Sequence, residues 1–86
     1  IENAYTISNG EYEVIEAEII ETSELINKEI KNSNFPDEIR IGAILRDKKV
    51  IIPRSDFVFQ KNDRVVFITK KESISFVENI FRLSSV

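Results

Sequence analysis

Apolar and polar positions alternate with period two between Glu11 and Ile20, where Ile15, Ala17 and Ile19 fall on one side and Glu16 and Glu18 on the other. That alternation predicts a half-exposed strand. Ser8-Asn9-Gly10 ahead of it is a turn signal, because Asn and Gly both tolerate positive φ. The spacing then changes. Thr22 or Ser23 offers an oxygen to cap a short helix predicted over Glu24 to Lys31, with Leu25, Ile26 and Ile30 as its buried stripe. Asn32-Ser33-Asn34 ends it, and Phe35 before Pro36 returns the chain to extended backbone, since a residue preceding proline is pushed out of the helical region.

Three further strands are predicted at Ile39 to Arg46, Val50 to Pro53 and Arg64 to Thr69, with a brief extended piece at Phe57 to Phe59. The polar link Asp47-Lys48-Lys49 suits a hairpin, so the first two of these are antiparallel neighbours. Pro53 closes its strand because it lacks the N–H that a ladder needs. Lys61-Asn62-Asp63 turns the chain into the last strand. Thr69-Lys70-Lys71-Glu72 fits a capping box, and a helix to about Leu83 follows, with Ile74, Phe76, Val77, Ile80, Phe81 and Leu83 as a broad apolar stripe. The predicted order is β-α-β-β-β-α. It describes an α+β fold, a small, mainly antiparallel four-stranded sheet with two helices on one face. Strict alternation puts Ile39, Ile41, Ala43 and Leu45 on one face of the central strand and Ile44 on the other, and sets Val65 and Phe67 against Val66 and Ile68. Both sheet faces then read as apolar. Two short helices cover only one, so the second face, or a helix edge beside it, is expected to meet another copy of the chain.

Composition narrows the function. A chain of 86 residues makes one small domain, and with no Cys and no His it has no disulfide, no ordinary zinc site and no Ser-His or Cys-His dyad. No apolar run approaches the roughly 20 residues of a membrane-spanning helix. The net charge of -3, with acids and bases interspersed, gives no basic footprint for nucleic acid. A start at Ile1 rather than Met leads us to expect a fragment or a processed chain. No nucleophile, general base and oxyanion donor occur in a spacing that would make an active site, so an enzyme is not expected.

Three local features carry candidate chemistry. Glu16 and Glu18 share a strand face, with Glu11, Glu13 and Glu21 nearby; such a cluster suits a hard cation, but a solvated strand face is the plainer reading. Arg40 and Arg46, at the same parity as Gly42 and Ile44, are the candidate ligand-binding residues, a pair fit to clamp a phosphate or carboxylate. The alternative is that each pairs with a neighbouring Asp or Glu. Asp63 at its turn is expected to accept backbone N–H groups rather than to act in catalysis.

Taken in order, Asn9-Gly10 before a Glu-rich strand, Phe35-Pro36, Ile41-Gly42-Ala43-Ile44 leading to Arg46, Ile52-Pro53, Asp63, and Phe67-Ile68-Thr69 followed by Val77-Glu78 and Phe81 resemble the C-terminal RCK-type domain, also called the TrkA-C domain. Within that family the likeness is to the copy at the end of regulators of potassium uptake. Where the family commonly has Gly before the turn Asp, this chain has Asn62, the next most tolerant residue for positive φ. The resemblance implies a cytoplasmic regulatory domain, residues 11–86, with residues 1–10 leading in from a preceding lobe. It implies pairing into a homodimer within a ring, and ligand-dependent gating of a membrane potassium transporter subunit, without membrane insertion and without nucleic acid. Such proteins bind NAD or ATP in Rossmann-type lobes; Gly10 and Gly42, the two glycines here, form no G-x-G-x-x-G, so no cofactor is expected within this chain. Some relatives bind a cyclic dinucleotide across the dimer, but the positions for that ligand are not clearly matched here and it is not carried over. Two other readings stand beside this one: the same domain as a cytosolic insert of an anion or amino-acid exchanger, and a stand-alone sensor of small anions or nucleotides.

Overall fold

The computed structural model describes residues 3–7, 10–21 and 23–81, with backbone alone at 3–7 and 79–81. Strands β1 (Asn3–Ile7), β2 (Tyr12–Glu18), β3 (Ile39–Arg46), β4 (Lys49–Ile51) and β5 (Arg64–Lys70) precede helix α1 (Ile74–Phe81). They form one antiparallel sheet in the order β1-β2-β5-β3-β4. The four expected strands are therefore present within a residue or two. A fifth, β1, hairpins onto β2 with Ile7 opposite Tyr12, so the sheet is larger than the four-stranded one expected.

Cross-strand register explains the core. On one face Ile15, Phe67 and Ile41 lie in one row, and Ala17, Val65, Ile44 and Ile51 in the next. Ile15, Ala17, Ile44, Val65 and Phe67 are fully buried, as side chains in adjacent strands of one sheet face should be when that face is covered. The cover consists of Val77 and Ile74 from α1 and of Leu25, Ile26, Ile30, Phe35, Phe57 and Phe59 from the two long connections. Phe59 is the keystone of that cover. It is fully buried, with edge-on contacts to Phe35 at 6.2 Å and Phe57 at 5.9 Å between ring centres.

Three expectations need correction. First, residues Glu24 to Lys31 form no α-helix, so among the described residues α1 is the one α-helix and the β-α-β-β-β-α order does not hold. The Ser23 hydroxyl does accept the Leu25 N–H at 3.1 Å, but one turn later Asn27 takes φ 68, in the left-handed region, and helical propagation stops. The backbone pairs instead with the 55–59 segment. Asn27, Ile30 and Lys31 donate to the carbonyls of Phe59, Phe57 and Ser55, and Phe59 donates back to Lys28, all at 2.9 to 3.0 Å. The extended piece expected at Phe57 to Phe59 is real, and Val58 bridges Glu29. Thr22 lies outside the described residues.

Second, the capping box does not form. Thr69 stays in β5, fully buried, and its hydroxyl donates to the Lys70 carbonyl. A 3-10 turn, Lys71–Ser73, begins at Lys70 without a side-chain cap and leads into α1. Phe76 is 40% exposed and lies off the buried stripe; Ile80, Phe81 and Leu83 fall outside the described side chains.

Third, the alternation in β3 is broken. Ile41 pairs with Phe67 but Ala43 with Val66, so Gly42 is an extra, bulged residue and every side chain beyond it changes face. Ile39 and Ile41 before the bulge and Ile44 after it all turn to the core. The opposite sheet face is left with Val14, Ala43, Leu45, Val66 and Ile68, partly exposed and framed by the Arg64–Glu16 ion pair at 3.2 Å. Ion pairing of β5 with β2 on that face follows from their register.

The turn between β3 and β4 holds two residues, Asp47 and Lys48, with φ of 52 and 66. Positive φ at both central positions defines the type I′ hairpin, which favours Gly at its second position. Replacing Lys48→Gly is expected to raise stability by about 0.5–1 kcal/mol, because a left-handed non-glycine residue costs about 1–2 kcal/mol; urea unfolding of the variant checks this, and a loss of stability would count against the turn type. Phe59→Ala, by contrast, is expected to cost about 3–5 kcal/mol through lost burial and a residual cavity. Ile52→Ser, at a side chain 74% exposed, is expected to stay within about 0.5 kcal/mol in the same titration.

Candidate functional site

The bulge decides where the two candidate arginines go. Arg40 precedes it and is exposed, across from Ile68 on β5. Arg46 follows it and turns to the core side. Six residues of strand, about 20 Å, and opposite faces of the sheet separate them. They do not form one clamp.

Arg46 is held on four sides. Its Nε and Nη2 donate to Oδ1 and Oδ2 of Asp63, both at 2.7 Å, and Nη2 also donates to the Val58 carbonyl at 3.0 Å. The guanidinium lies 4.7 Å over the centre of the Phe57 ring, a cation–π contact that suits a planar, weakly hydrated cation. The Asp63 side chain is 1% exposed. Besides Arg46 it accepts the Gln60 N–H at 2.8 Å, as expected of an Asp closing a turn. Asn62 before it stands at φ 73, in the left-handed region that Asn tolerates next after Gly. Hydrogen bonding to Asp63 holds the Arg46 pKa above its ordinary value, against the opposite effect of burial. No buried side-chain polar atom among the described residues lacks a partner.

Arg40 borders open space. β4 pairs with β3 only from Ile44 to Arg46, so the first half of β3 has a free edge on that side. A recess of about 560 Å³ lies there. One wall is Ile30 and Lys31, the other Pro53, Arg54 and Ser55, and Ile39, Arg40 and Ile41 run between them. Phe35 and Pro36 add apolar surface. Among the described residues neither Arg40 nor Arg54 is paired with a carboxylate, while Lys31 has only a loose contact with Glu29 at 3.8 Å. The lining thus combines Lys31, Arg40 and Arg54 with one carboxylate, Asp37, and with apolar Phe35, Pro36 and Pro53, a mixture that suits a ligand carrying both anionic groups and a flat ring. Of the cationic residues that line the recess, Arg40 is a candidate expected from the sequence, whereas Lys31 and Arg54 are not. Pro53-Arg54-Ser55 was visible as a strand exit, yet its approach to Lys31 depends on the loop pairing that replaced the expected helix.

The acidic residues do not gather. Glu16 pairs with Arg64 and Glu21 with Lys61 at 3.4 Å, and no group of three potential metal ligands occurs among the described residues. Nor is any described helix long and apolar enough to cross a membrane.

Comparison with known proteins agrees with the resemblance read from the residues. The chain is 36% identical to the Trk system potassium uptake protein TrkA of Azorhizobium caulinodans, over 98% of its own length and 18% of that protein's. It is 34% identical to the TrkA homolog of Archaeoglobus fulgidus, over 88% of this chain and 17% of that one. It thus spans about a fifth of these curated relatives. Among solved structures, the RCK_C domain dimer of S. agalactiae BusR in complex with c-di-AMP superimposes with a TM-score of 0.71 at 24% identity, covering 80% of this chain and 95% of that one. BusR in complex with its busAB-promotor DNA gives 0.72, also at 24% identity, over 85% of this chain and 37% of that one. Residues 14–82 match the TrkA-C domain, and the chain belongs to that family.

Proposed function

We propose that the chain is the regulatory, non-catalytic lobe of a Trk-type potassium-uptake regulator, and that the recess beside β3 is where it takes a phosphate-bearing ligand. The observation that carries this reading is that Arg40, Arg54 and Lys31 line one recess with Phe35, Pro36 and Pro53, against a single carboxylate, Asp37, in a lobe whose relatives are TrkA proteins and whose fold neighbours include a domain bound to c-di-AMP. In this reading Arg40 contacts the ligand. Arg46, the other candidate, acts from within the fold.

The remaining parts follow from the same reading. Residues 1–10 lead in from a preceding lobe, through β1 at the sheet edge, and residues 11–86 are the TrkA-C domain. NAD or ATP binds in a Rossmann-type lobe elsewhere in the whole protein, which works in the cytoplasm against a membrane potassium transporter subunit. Two copies pair through the sheet face that carries Val66 and Ile68. Ligand binding shifts the population between two arrangements of the paired lobes, and the ring passes that bias to the transporter. DNA binding by longer BusR chains is not needed for this role.

Two outcomes are expected. A thermal-melt series with c-di-AMP, ATP, NAD and inorganic phosphate should show at least one stabilising ligand, with a rise on the order of 10 °C at a hundredfold excess over Kd. Arg40→Ala should remove the rise without lowering the melting temperature of the free chain. A flat response to the whole panel would defeat the ligand-site reading. Light scattering at high micromolar concentration should give twice the chain mass, and Ile68→Lys should return it to one chain, because an ammonium buried without a partner opposes pairing. A single-chain mass for the unmodified protein would remove the dimer.

A further inference from the structure

We infer that Arg46 is a positioning residue for the recess: it does not touch the ligand but fixes the segment that forms one wall and, through that segment, the other. The inference rests on the reading of the recess as a ligand site. Arg54 and Ser55, the outer wall, begin a loop that returns to the sheet only at Arg64. Between them the loop has two anchors. On one flank its carbonyls at Ser55, Phe57 and Phe59 accept the N–H groups of Lys31, Ile30 and Asn27, and Ile30 and Lys31 are the opposite wall. On the other flank Arg46 accounts for the fixing. It donates to the Val58 carbonyl, stacks on Phe57, and grips Asp63 at the loop's end.

Geometry separates this from a general structural role. The Phe57 N–H donates to the Arg54 carbonyl at 3.0 Å, so the ring under the guanidinium belongs to the same turn as the recess arginine. The sheet needs none of this: β2, β3 and β5 pair through their own ladder. Loss of the guanidinium fork should therefore loosen the walls while the sheet stays closed. Lysine cannot replace it, since one ammonium on a flexible stem does not span a carboxylate, a carbonyl and a ring face in fixed geometry.

The test compares Arg46→Lys with the unmodified 86-residue chain, first without ligand. Amide hydrogen exchange by NMR should accelerate at least about tenfold at Asn27, Ile30, Lys31, Phe57 and Phe59, with Ile15, Val65 and Phe67 unchanged, because local opening is read at the amides it frees. Titration with c-di-AMP should then show affinity weakened by roughly tenfold, and Phe57→Leu should have a similar but smaller effect. Uniform acceleration across all amides would mean a global stability role and would overturn the inference, as would unchanged exchange at the wall amides. Weakened binding with unchanged exchange would instead make Arg46 a ligand contact. If the unmodified chain fails to bind c-di-AMP, the ligand reading is what fails for that probe, and the exchange pattern still decides whether Arg46 holds the walls.

Discussion

A carboxylate with 1% of its side chain exposed, Asp63, sits where the long loop re-enters the sheet, and a buried charge of that kind persists only when it is paired and its lone pairs are occupied. Here the fork of Arg46 and the Gln60 N–H supply the partners. The backbone of the same residue is also engaged: its carbonyl accepts the Ile19 N–H at 2.8 Å, while Asn62 donates to the Ile19 carbonyl. The end of β2, the end of β3 and the start of β5 are thus tied at one point. The ladders already hold these strands to one another; what the charge-assisted, two-bond contact adds is a fixed end for the 52–63 loop. Water is kept from the carboxylate, while the guanidinium lies against the Phe57 ring with a quarter of its side chain still exposed.

The same economy explains why connections rather than helices cover the sheet. The one described α-helix, eight residues long, brings Ile74 and Val77 to the core among its described side chains. The rest of the cover must be irregular chain, and irregular chain buried against apolar side chains leaves its N–H and C=O groups in need of partners. The two connections solve this mutually. Residues 27–31 and 55–59 bond to each other while their side chains, Ile30, Phe57 and Phe59 among them, face the core. A recess at the outer end of that paired stretch is a direct consequence, because β4 stops after Ile51 and, among the described residues, no strand pairs with that edge of β3 beyond it.

Much of this could be read from the residues, and the parts that could not share one cause. The strands were legible because β-branched residues and period-two spacing are local signals: Ile39 to Arg46 came out to the residue, and Asp63 was placed correctly as a turn acceptor. β1 is legible in the same terms, since Ala4-Tyr5-Thr6-Ile7 ahead of Asn9-Gly10 is a strand-and-hairpin pattern, although a segment expected to lead in from another lobe need not pair with this sheet. The helix at Glu24 to Lys31 was a reasonable reading of an apolar stripe with a capping hydroxyl. What overrides it is partners 24 to 32 residues away in sequence, which no window along the chain reveals. The bulge at Gly42 was the most consequential miss. A glycine inside a strand is a known sign of a bulge, and the register slip it introduces moved Arg46 from a supposed ligand face to the core side.

The slip also changes how the two proposed activities relate to each other. Under strict alternation, both arginines and the pairing surface would have competed for one face of β3. With the bulge in place only Arg46 leaves that face: Ile44 and Arg46 turn to the core, while Arg40, across from Ile68 and bordering the recess at the strand edge, stays on the same face as Ala43 and Leu45. One strand therefore reaches the ligand, the second copy and the buried tie at once. A cross-strand ladder is stiff along its length, since each residue is fixed by bonds to β5. A displacement of Arg40 by a bound anion cannot be absorbed inside the strand and must be taken up at its flanks. On one flank is the loop held by Arg46, and on the other is the apolar face proposed to meet a second copy. In the proposed regulator, that geometry is what lets a ligand at one edge of an 86-residue lobe bias how two lobes sit together.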